Sequence, residues 1–132
     1  MSVYVAAPLS QVVRAKAFAD NLRQHGLTVV STWHDEVPDG TCDPKDPAER
    51  HRICQSLLSD LSRTEMMVAL MDQGVGKGSF IEIGYALSNC LPTVWLQGPN
   101  GEGASVFDAH SEVAVVTTEY YAQQAVIEAY CE

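Results

Sequence analysis

The chain has 132 residues and a formal net charge of −9 at pH 7. This length suits one domain with its own core and is too short for two, so residues 1–132 are expected to form a single unit. The acidic balance argues against duplex nucleic acid as a partner, because basic side chains supply most of that affinity. The apolar runs are too short to span a membrane, and no signal peptide is evident. We therefore expect a soluble, cytoplasmic protein.

The four cysteines, Cys42, Cys54, Cys90 and Cys131, are scattered along the chain. No two of them have the Cys-x-x-Cys spacing that is typical of zinc sites and redox pairs. We therefore predict reduced thiols, without a disulfide framework or a metal site. No organic cofactor is expected either.

Apolar strands alternate with amphipathic helices along the chain. The first half is predicted to contain a strand over Val3–Ala7, a helix from Ser10 or Gln11 to Gly26, a strand over Leu27–Thr32, a polar loop over Trp33–Lys45 and a helix from Asp46 to about Arg63. The second half is predicted to contain a strand over Met66–Met71, a glycine-rich turn over Asp72–Gly78 with a helix after it, strands over Leu91–Gln97 and Val113–Thr117, and a last helix over Glu119–Tyr130.

This order predicts an α/β fold with a five-stranded parallel sheet. The strands are mostly apolar, as in sheets that are covered on both faces. Right-handed crossovers then give a doubly wound, three-layer domain of the flavodoxin or Rossmann kind. In the second long helix, one apolar stripe is expected to lie on the sheet; it contains Ile53, Cys54, Leu57, Leu58 and Leu61.

The stretch Gly78–Leu87 places a single carboxylate, Glu82, in the predicted first turn of a helix. In an open parallel sheet, ligands bind beyond the carboxyl ends of the strands, where helix N-termini favour anions. Glu82 is therefore expected to stay ionised, as a nucleophile must. Ser79 and Glu82 also fit a capping box, in which the two side chains satisfy each other's backbone N–H groups. The motif alone leaves both interpretations open.

The glycine-rich turn is a poor match to known nucleotide loops. Gly78 follows Lys77 where a triphosphate-binding loop has Ser or Thr, and Ser79 stands where Gly-x-Gly-x-x-Gly requires its last glycine. Its backbone N–H groups can still approach a sugar or a phosphate. Asp72 ends the third strand, where it is either a ligand for sugar hydroxyls or a turn-forming aspartate.

Other candidate residues have an ordinary structural alternative as well. Trp33, after the second strand, would stack on a base or be half buried, and His34 would exchange a proton or lie on the surface. Arg14 would reach a phosphate or be a surface arginine. Ser105 follows the fourth strand and is a candidate contact to a phosphate or sugar.

Three segments together resemble the nucleoside 2-deoxyribosyltransferase family in their order and approximate separations. They are Val3–Leu9, Gly78–Ala86 and Leu91–Leu96. The resemblance implies that Glu82 attacks the anomeric carbon of a nucleoside or nucleotide and that Tyr4 holds its carboxylate. It also implies that Ala7, Pro8, Gly78 and Ser79 lie at the substrate.

The sequence departs from the family at the residue that protonates the leaving base. The family has an aspartate eight residues before the acid that opens the third strand, and this position is Leu57 here. Asp60 would substitute only if the helix or its following turn is shortened, and otherwise it is a solvated helix acid. The family also implies a homodimer or larger homo-oligomer, with Tyr120, Tyr121 and Tyr130 as candidate interface aromatics or core residues.

These observations favour an enzyme that cleaves or transfers at the N-glycosidic bond of a (deoxy)nucleoside or its monophosphate. Hydrolysis and transfer differ only in the final acceptor, and the sequence does not choose between them. One alternative is a nucleotide-binding or sensing module with weak or no catalysis, which Leu57 would permit. Another is a relative of the NAD-cleaving signalling domains.

Overall fold

A computed structural model of the chain describes residues 1–37, 44–73 and 76–130. The strands are β1 (Ser2–Ala6), β2 (Thr28–Val29), β3 (Met66–Leu70), β4 (Thr93–Leu96) and β5 (Val113–Val116). The helices are α1 (Val12–Gln24), α2 (Trp33–Glu36), α3 (Pro47–Ser62), α4 (Lys77–Ser88) and α5 (Glu119–Tyr130), with 3-10 turns at Leu9–Gln11 and Val106–Ala109. Parts of the predicted polar loop and of the glycine-rich turn, with Cys42 and Cys131, lie outside the described residues.

All four strand pairs are parallel, and the sheet has the order β2-β1-β3-β4-β5. This order confirms the predicted doubly wound α/β fold. The chain steps from β1 to β2 in one direction and from β3 to β5 in the other, so right-handed crossovers put α1 on one face and α3 and α4 on the opposite face. Helix α5 packs beside α1. The direction changes between β1 and β3, where a ligand crevice forms in such sheets.

The core lies on both sides of the two central strands. All five residues of β3 are buried, and so are Val3, Tyr4, Val5 and Ala6 of β1. Strands that are covered on both faces need continuous apolar sequence, which is the pattern that predicted them. None of the described helices is long and apolar enough to cross a bilayer.

The second strand is shorter than the pattern predicted. It ends at Val29, whereas the apolar run predicted a strand to Thr32. The reason is that side chains replace the backbone pairing: the Val5 N–H donates to Ser31 Oγ, and the Thr32 N–H donates to Asp60 Oδ2. The chain then turns into the short helix α2 at Trp33, where an irregular loop was predicted.

The apolar stripe of α3 lies only partly on the sheet. Leu61 is buried and Leu57 packs against the core as a half-buried residue, whereas Leu58 is 50% exposed and Cys54 is also exposed. The prediction of one stripe lying on the sheet is therefore wrong for Cys54 and Leu58. Part of the apolar face of α3 instead lines a cleft.

Candidate active site

A cleft of about 540 Å³ opens beyond the carboxyl ends of the central strands. The segment after β1, the start of α2, the inner side of α3 and the first turns of α4 form its walls. Its lining contains six of the residues predicted from the sequence, Ala7, Pro8, Trp33, Gly78, Ser79 and Glu82. It also contains residues that were not predicted to bind substrate, namely Leu9, Ser10, Val37, Pro44, Ile53, Leu57, Gly76 and Lys77.

Glu82 lies in the second turn of α4. The helix begins at Lys77, its N-cap is Gly76, and that cap position has no side-chain hydrogen bond. Ser79 is therefore already inside the helix, so the capping-box interpretation is wrong, and so is the placement of Glu82 in the first turn. The residue is only 9% exposed and faces the cleft.

Tyr4 is the hydrogen-bond partner of Glu82. It is fully buried in β1, and its hydroxyl donates to Glu82 Oε2. The two residues are 78 positions apart in the chain and meet because β1 pairs with β3, the strand that precedes α4. This contact is the one that the family resemblance implies.

The carboxyl group of Glu82 is harder to ionise than the sequence suggested. Burial raises the pKa of Glu82 to about 8, above its ordinary value of 4.5. The expectation that Glu82 stays ionised at neutral pH is therefore contradicted. The physical reason is that Glu82 lies in the second helical turn and is buried, so desolvation outweighs the favourable field of the helix N-terminus.

We expect this raised pKa to make the contribution of Glu82 to stability fall as the pH rises. The folded chain holds the Glu82 proton more tightly than the unfolded chain, so the contribution of Glu82 to stability is complete below pH 4.5 and is lost as the pH rises to about 8. The slope approaches about 1.4 kcal/mol per pH unit. Urea unfolding of the protein and of its Glu82→Gln variant at several pH values measures the effect. A stability difference between the two that does not change with pH would contradict the raised pKa.

The cleft has one apolar and one polar side. Trp33, Val37, Ile53 and Leu57 form the apolar side, and the start of α4 with Ser10 forms the polar side. Ser79 is 2% exposed and places a hydroxyl group at the lining of the cleft. These features suit a ligand with an aromatic or apolar part and a hydroxylated or anionic part.

A close approach of the chain on the polar side favours glycine at position 76. A Cβ atom built at Gly76 would lie 3.0 Å from Ser79 Oγ and 3.1 Å from Pro8 Cγ. Both neighbours line the cleft, so a larger residue would push them apart. The glycine-rich turn in the sequence was the signal for this close approach. Comparison with triphosphate-binding loops did not reveal it.

Asp60 and His34 lie outside the cleft lining. Asp60 is 3% exposed; it accepts hydrogen bonds from the backbone and hydroxyl of Thr32 and pairs with Arg63. Asp60 is therefore not a solvated helix acid, which was the alternative that the sequence left open for it. His34 is 1% exposed, and its Nε2 lies 2.8 Å from Ser31 Oγ. Burial lowers the pKa of His34, and it is not a surface residue.

Asp72, Arg14 and Ser105 also contact protein groups away from the cleft. Arg14 makes two hydrogen bonds of 2.7 and 2.9 Å to the Asp72 carboxylate and a third of 2.7 Å to Glu119. Ser105 Oγ accepts from the Phe107 N–H at 3.3 Å and caps the following 3-10 turn. The structure thus links Asp72 to Arg14 and does not bring either to Glu82.

Within residues 1–37, 44–73 and 76–130, no three His, Cys, Asp or Glu side chains are grouped so that they could hold a metal ion. Lys77 and Ser10 are the polar lining residues that the sequence did not assign to a substrate. Ser10 follows Pro8 in the same segment after β1, and Lys77 is the first residue of α4. Both residues stand next to predicted substrate residues in the sequence, and this was the signal by which they could have been found.

No protein-family model matches the chain, and no curated protein matches it in sequence. Solved structures do match it over nearly its whole length. A 2-deoxyribosyltransferase from Bacillus psychrosaccharolyticus has a TM-score of 0.68 at 19% identity, and the match covers 96% of each chain. A conserved protein from Enterococcus faecalis has a TM-score of 0.65 at 18% identity and 98% coverage of each chain.

A CMP N-glycosidase from Clostridium botulinum is similar to the same extent. Its TM-score is 0.65 at 16% identity, with 98% of this chain and 99% of that chain covered. At such identities the likeness establishes the fold. The resemblance noted in the sequence is thus confirmed at the level of structure, and this chain has the fold of proteins that include a 2-deoxyribosyltransferase and a CMP N-glycosidase.

Proposed function

We propose that the protein cleaves or transfers at the N-glycosidic bond of a nucleoside or nucleoside monophosphate, with Glu82 as the nucleophile. The observation that carries this proposal is the buried Tyr4–Glu82 pair, which faces a cleft at the switch point of the sheet. A carboxyl group with a pKa displaced by burial, in a cleft, is typical of a functional site. The fold shared with a 2-deoxyribosyltransferase and a CMP N-glycosidase supports the same reaction class.

The reaction needs the ionised form of Glu82, which a pKa of about 8 leaves in about a tenth of the molecules at pH 7. Base release is therefore expected to rise with pH up to about pH 8. One carboxylate oxygen attacks the anomeric carbon, the carbon–nitrogen bond breaks, and the base leaves with the electron pair and takes up a proton from solvent. The glycosyl ester on Glu82 is then opened by water or by a second base, and the carboxylate is released. Tyr4 donates to Oε2, which orients the carboxyl group and leaves Oε1 for the attack.

The two sides of the cleft suggest how the substrate lies. The apolar side, with the Trp33 indole, suits the base, since aromatic rings stack on bases. The polar side suits the sugar and a 5′-phosphate, because N–H groups in the first turn of a helix have no partner within the helix and Lys77 carries a positive charge.

Release of free base tests the proposed activity. The protein is incubated with nucleosides, deoxynucleosides, their monophosphates including CMP, and NAD, and the base is quantified by chromatography with and without an acceptor base. We expect base release that requires Glu82. Binding without release would favour the alternative of a nucleotide-sensing module, which the leucine at position 57 of the cleft would permit. Release from NAD alone would assign the protein to the NAD-cleaving class.

Lys77→Ala is expected to weaken binding of CMP more than binding of cytidine. Lys77 lies at the polar side of the cleft, where it can pair with a phosphate but not with a neutral sugar. Hydrogen bonds to charged groups contribute about 1.5–3 kcal/mol, and the exposure of Lys77 places the effect at the lower end, or about tenfold in KM. Lys77→Arg is the matched control and should retain the preference. Equal losses on both substrates would exclude a phosphate contact.

A homo-oligomer stays a prediction. Tyr120 and Tyr121 are 66% and 60% exposed and contact each other edge to face with ring centres 5.6 Å apart. Exposed aromatic residues are enriched at protein interfaces. Tyr130, by contrast, packs against the core of its own chain, which favours the simpler alternative for that residue.

A further inference from the structure

The backbone N–H and carbonyl groups of Val5 in β1 form hydrogen bonds with side chains of the turn that follows β2, instead of with the backbone of a neighbouring strand. The Val5 N–H donates to Ser31 Oγ at 3.0 Å, and the Trp33 indole N–H donates to the Val5 carbonyl at 2.8 Å. Val5 and Ser31 are fully buried, so neither backbone group of Val5 could exchange these bonds for water. The indole that forms one wall of the cleft is thus attached to the strand residue next to Tyr4.

The hydrogen bonds of Ser31 determine where the proton of His34 lies. Ser31 Oγ accepts from the Val5 N–H, and among the described residues the one other side-chain partner of Oγ is His34 Nε2, at 2.8 Å. A buried hydroxyl needs an acceptor for its own proton. Nε2 must therefore accept, so the ring carries its proton on Nδ1, which faces Asp35 Oδ1 at 3.4 Å. His34 is neutral in this arrangement.

We propose that Ser31 and His34 are positioning residues that hold Trp33 as a wall of the cleft, and that protonation of His34 releases this wall. An imidazolium donates from both ring nitrogens, so Nε2 can no longer accept from Ser31. The buried Ser31 proton then has no acceptor, which costs about 1–3 kcal/mol for a buried polar group. The turn relieves this cost by moving away from Val5. The inference rests on the proposed function only in that Trp33 faces the substrate.

The charged groups that face His34 come from two helices. Asp35 lies beside it in α2 and favours the imidazolium, while Lys16 and Arg23 of α1 oppose it and are themselves paired with Asp35 at 3.3 and 2.8 Å. Burial is the largest influence and lowers the pKa of His34 below its ordinary value of 6.5. The wall is therefore held at neutral pH and released under acid conditions.

Acrylamide quenching of tryptophan fluorescence tests this inference without a substrate. The chain has two tryptophans. Trp95 is completely buried, whereas Trp33 is 7% exposed at the cleft, so a change in quenching reports on Trp33. Circular dichroism at each pH shows whether the helices remain folded. Measurements below pH 7 stay clear of the titration of Glu82, whose pKa is about 8.

We expect quenching to increase as the pH falls below 6.5. The increase should follow the titration of a single proton, so that the ratio of protonated to neutral His34 rises tenfold for each pH unit. His34→Gln should remove the transition, because its amide oxygen can accept from Ser31 and does not titrate. His34→Leu should be strongly quenched at every pH. The same transition in His34→Gln, or no transition in the unaltered protein before the helices unfold, would overturn the proposal. Base release at neutral pH is a separate measurement, so either proposal can fail alone.

Discussion

Glu82→Gln is expected to abolish base release, with a loss of about 10³-fold or more. Glutamine has the same shape, and its carbonyl oxygen can still accept from the Tyr4 hydroxyl, so the contact seen in the structure is kept. The amide cannot attack the anomeric carbon. The expected change is therefore in kcat with an unchanged circular dichroism spectrum. Glu82→Gln that turns over at the rate of the unaltered protein would show that Glu82 is not the nucleophile.

A trapped intermediate gives an independent test of the same assignment. A 2-fluoro-2-deoxy nucleoside that the enzyme accepts slows hydrolysis of the glycosyl ester, so a sugar should remain attached to Glu82 and appear by peptide mass. Tyr4→Phe keeps the buried ring but removes the donated hydrogen bond. It should lower the labelling rate less than Glu82→Gln, which should not label at all. Label on a different carboxylate would move the nucleophile to that residue.

Leu57→Asp is expected to raise the rate on ordinary nucleosides by up to about 10²–10⁴-fold, the usual contribution of a positioned general acid. Leu57 lines the cleft together with Glu82, which supports its match to the family position that protonates the base. The gain should disappear with p-nitrophenyl deoxyriboside, whose leaving group needs no proton. Since Leu57 is half buried and faces the cleft, we expect a moderate loss of stability.

Leu58→Asp is the matched control for this gain. It adds the same charge to the next position of α3, but Leu58 is 50% exposed and is not part of the cleft lining. It lines the adjoining groove between α3 and α4, which shares Leu57 and Glu82 with the cleft. It should leave the rate unchanged on both kinds of substrate. A folded Leu57→Asp protein without any gain, or an equal gain in Leu58→Asp, would mean that position 57 does not face the leaving base.

The prediction of the second strand failed where distant residues intervene. The apolar run after Gly26 looks like a strand to Thr32, yet Val5 and Asp60 draw Ser31 and Thr32 into side-chain bonds and end the strand at Val29. The partners of these bonds are 26 and 28 positions away in the chain. Periodicity describes neighbours along the chain, so it carries no information on such contacts.

What the sequence by itself determined is the order of strands and helices, the parallel sheet, and the pairing of Tyr4 with Glu82 through the family resemblance. Continuous apolar runs have few structural solutions, which is why these predictions succeeded. Only the tertiary structure decided that burial raises the pKa of Glu82 to about 8 and that Asp60 and His34 are buried outside the cleft. It also decided that Leu57 lines the cleft. Burial and hydrogen-bond partners depend on which segments pack together, and the protonation state of a carboxyl or imidazole group follows from them.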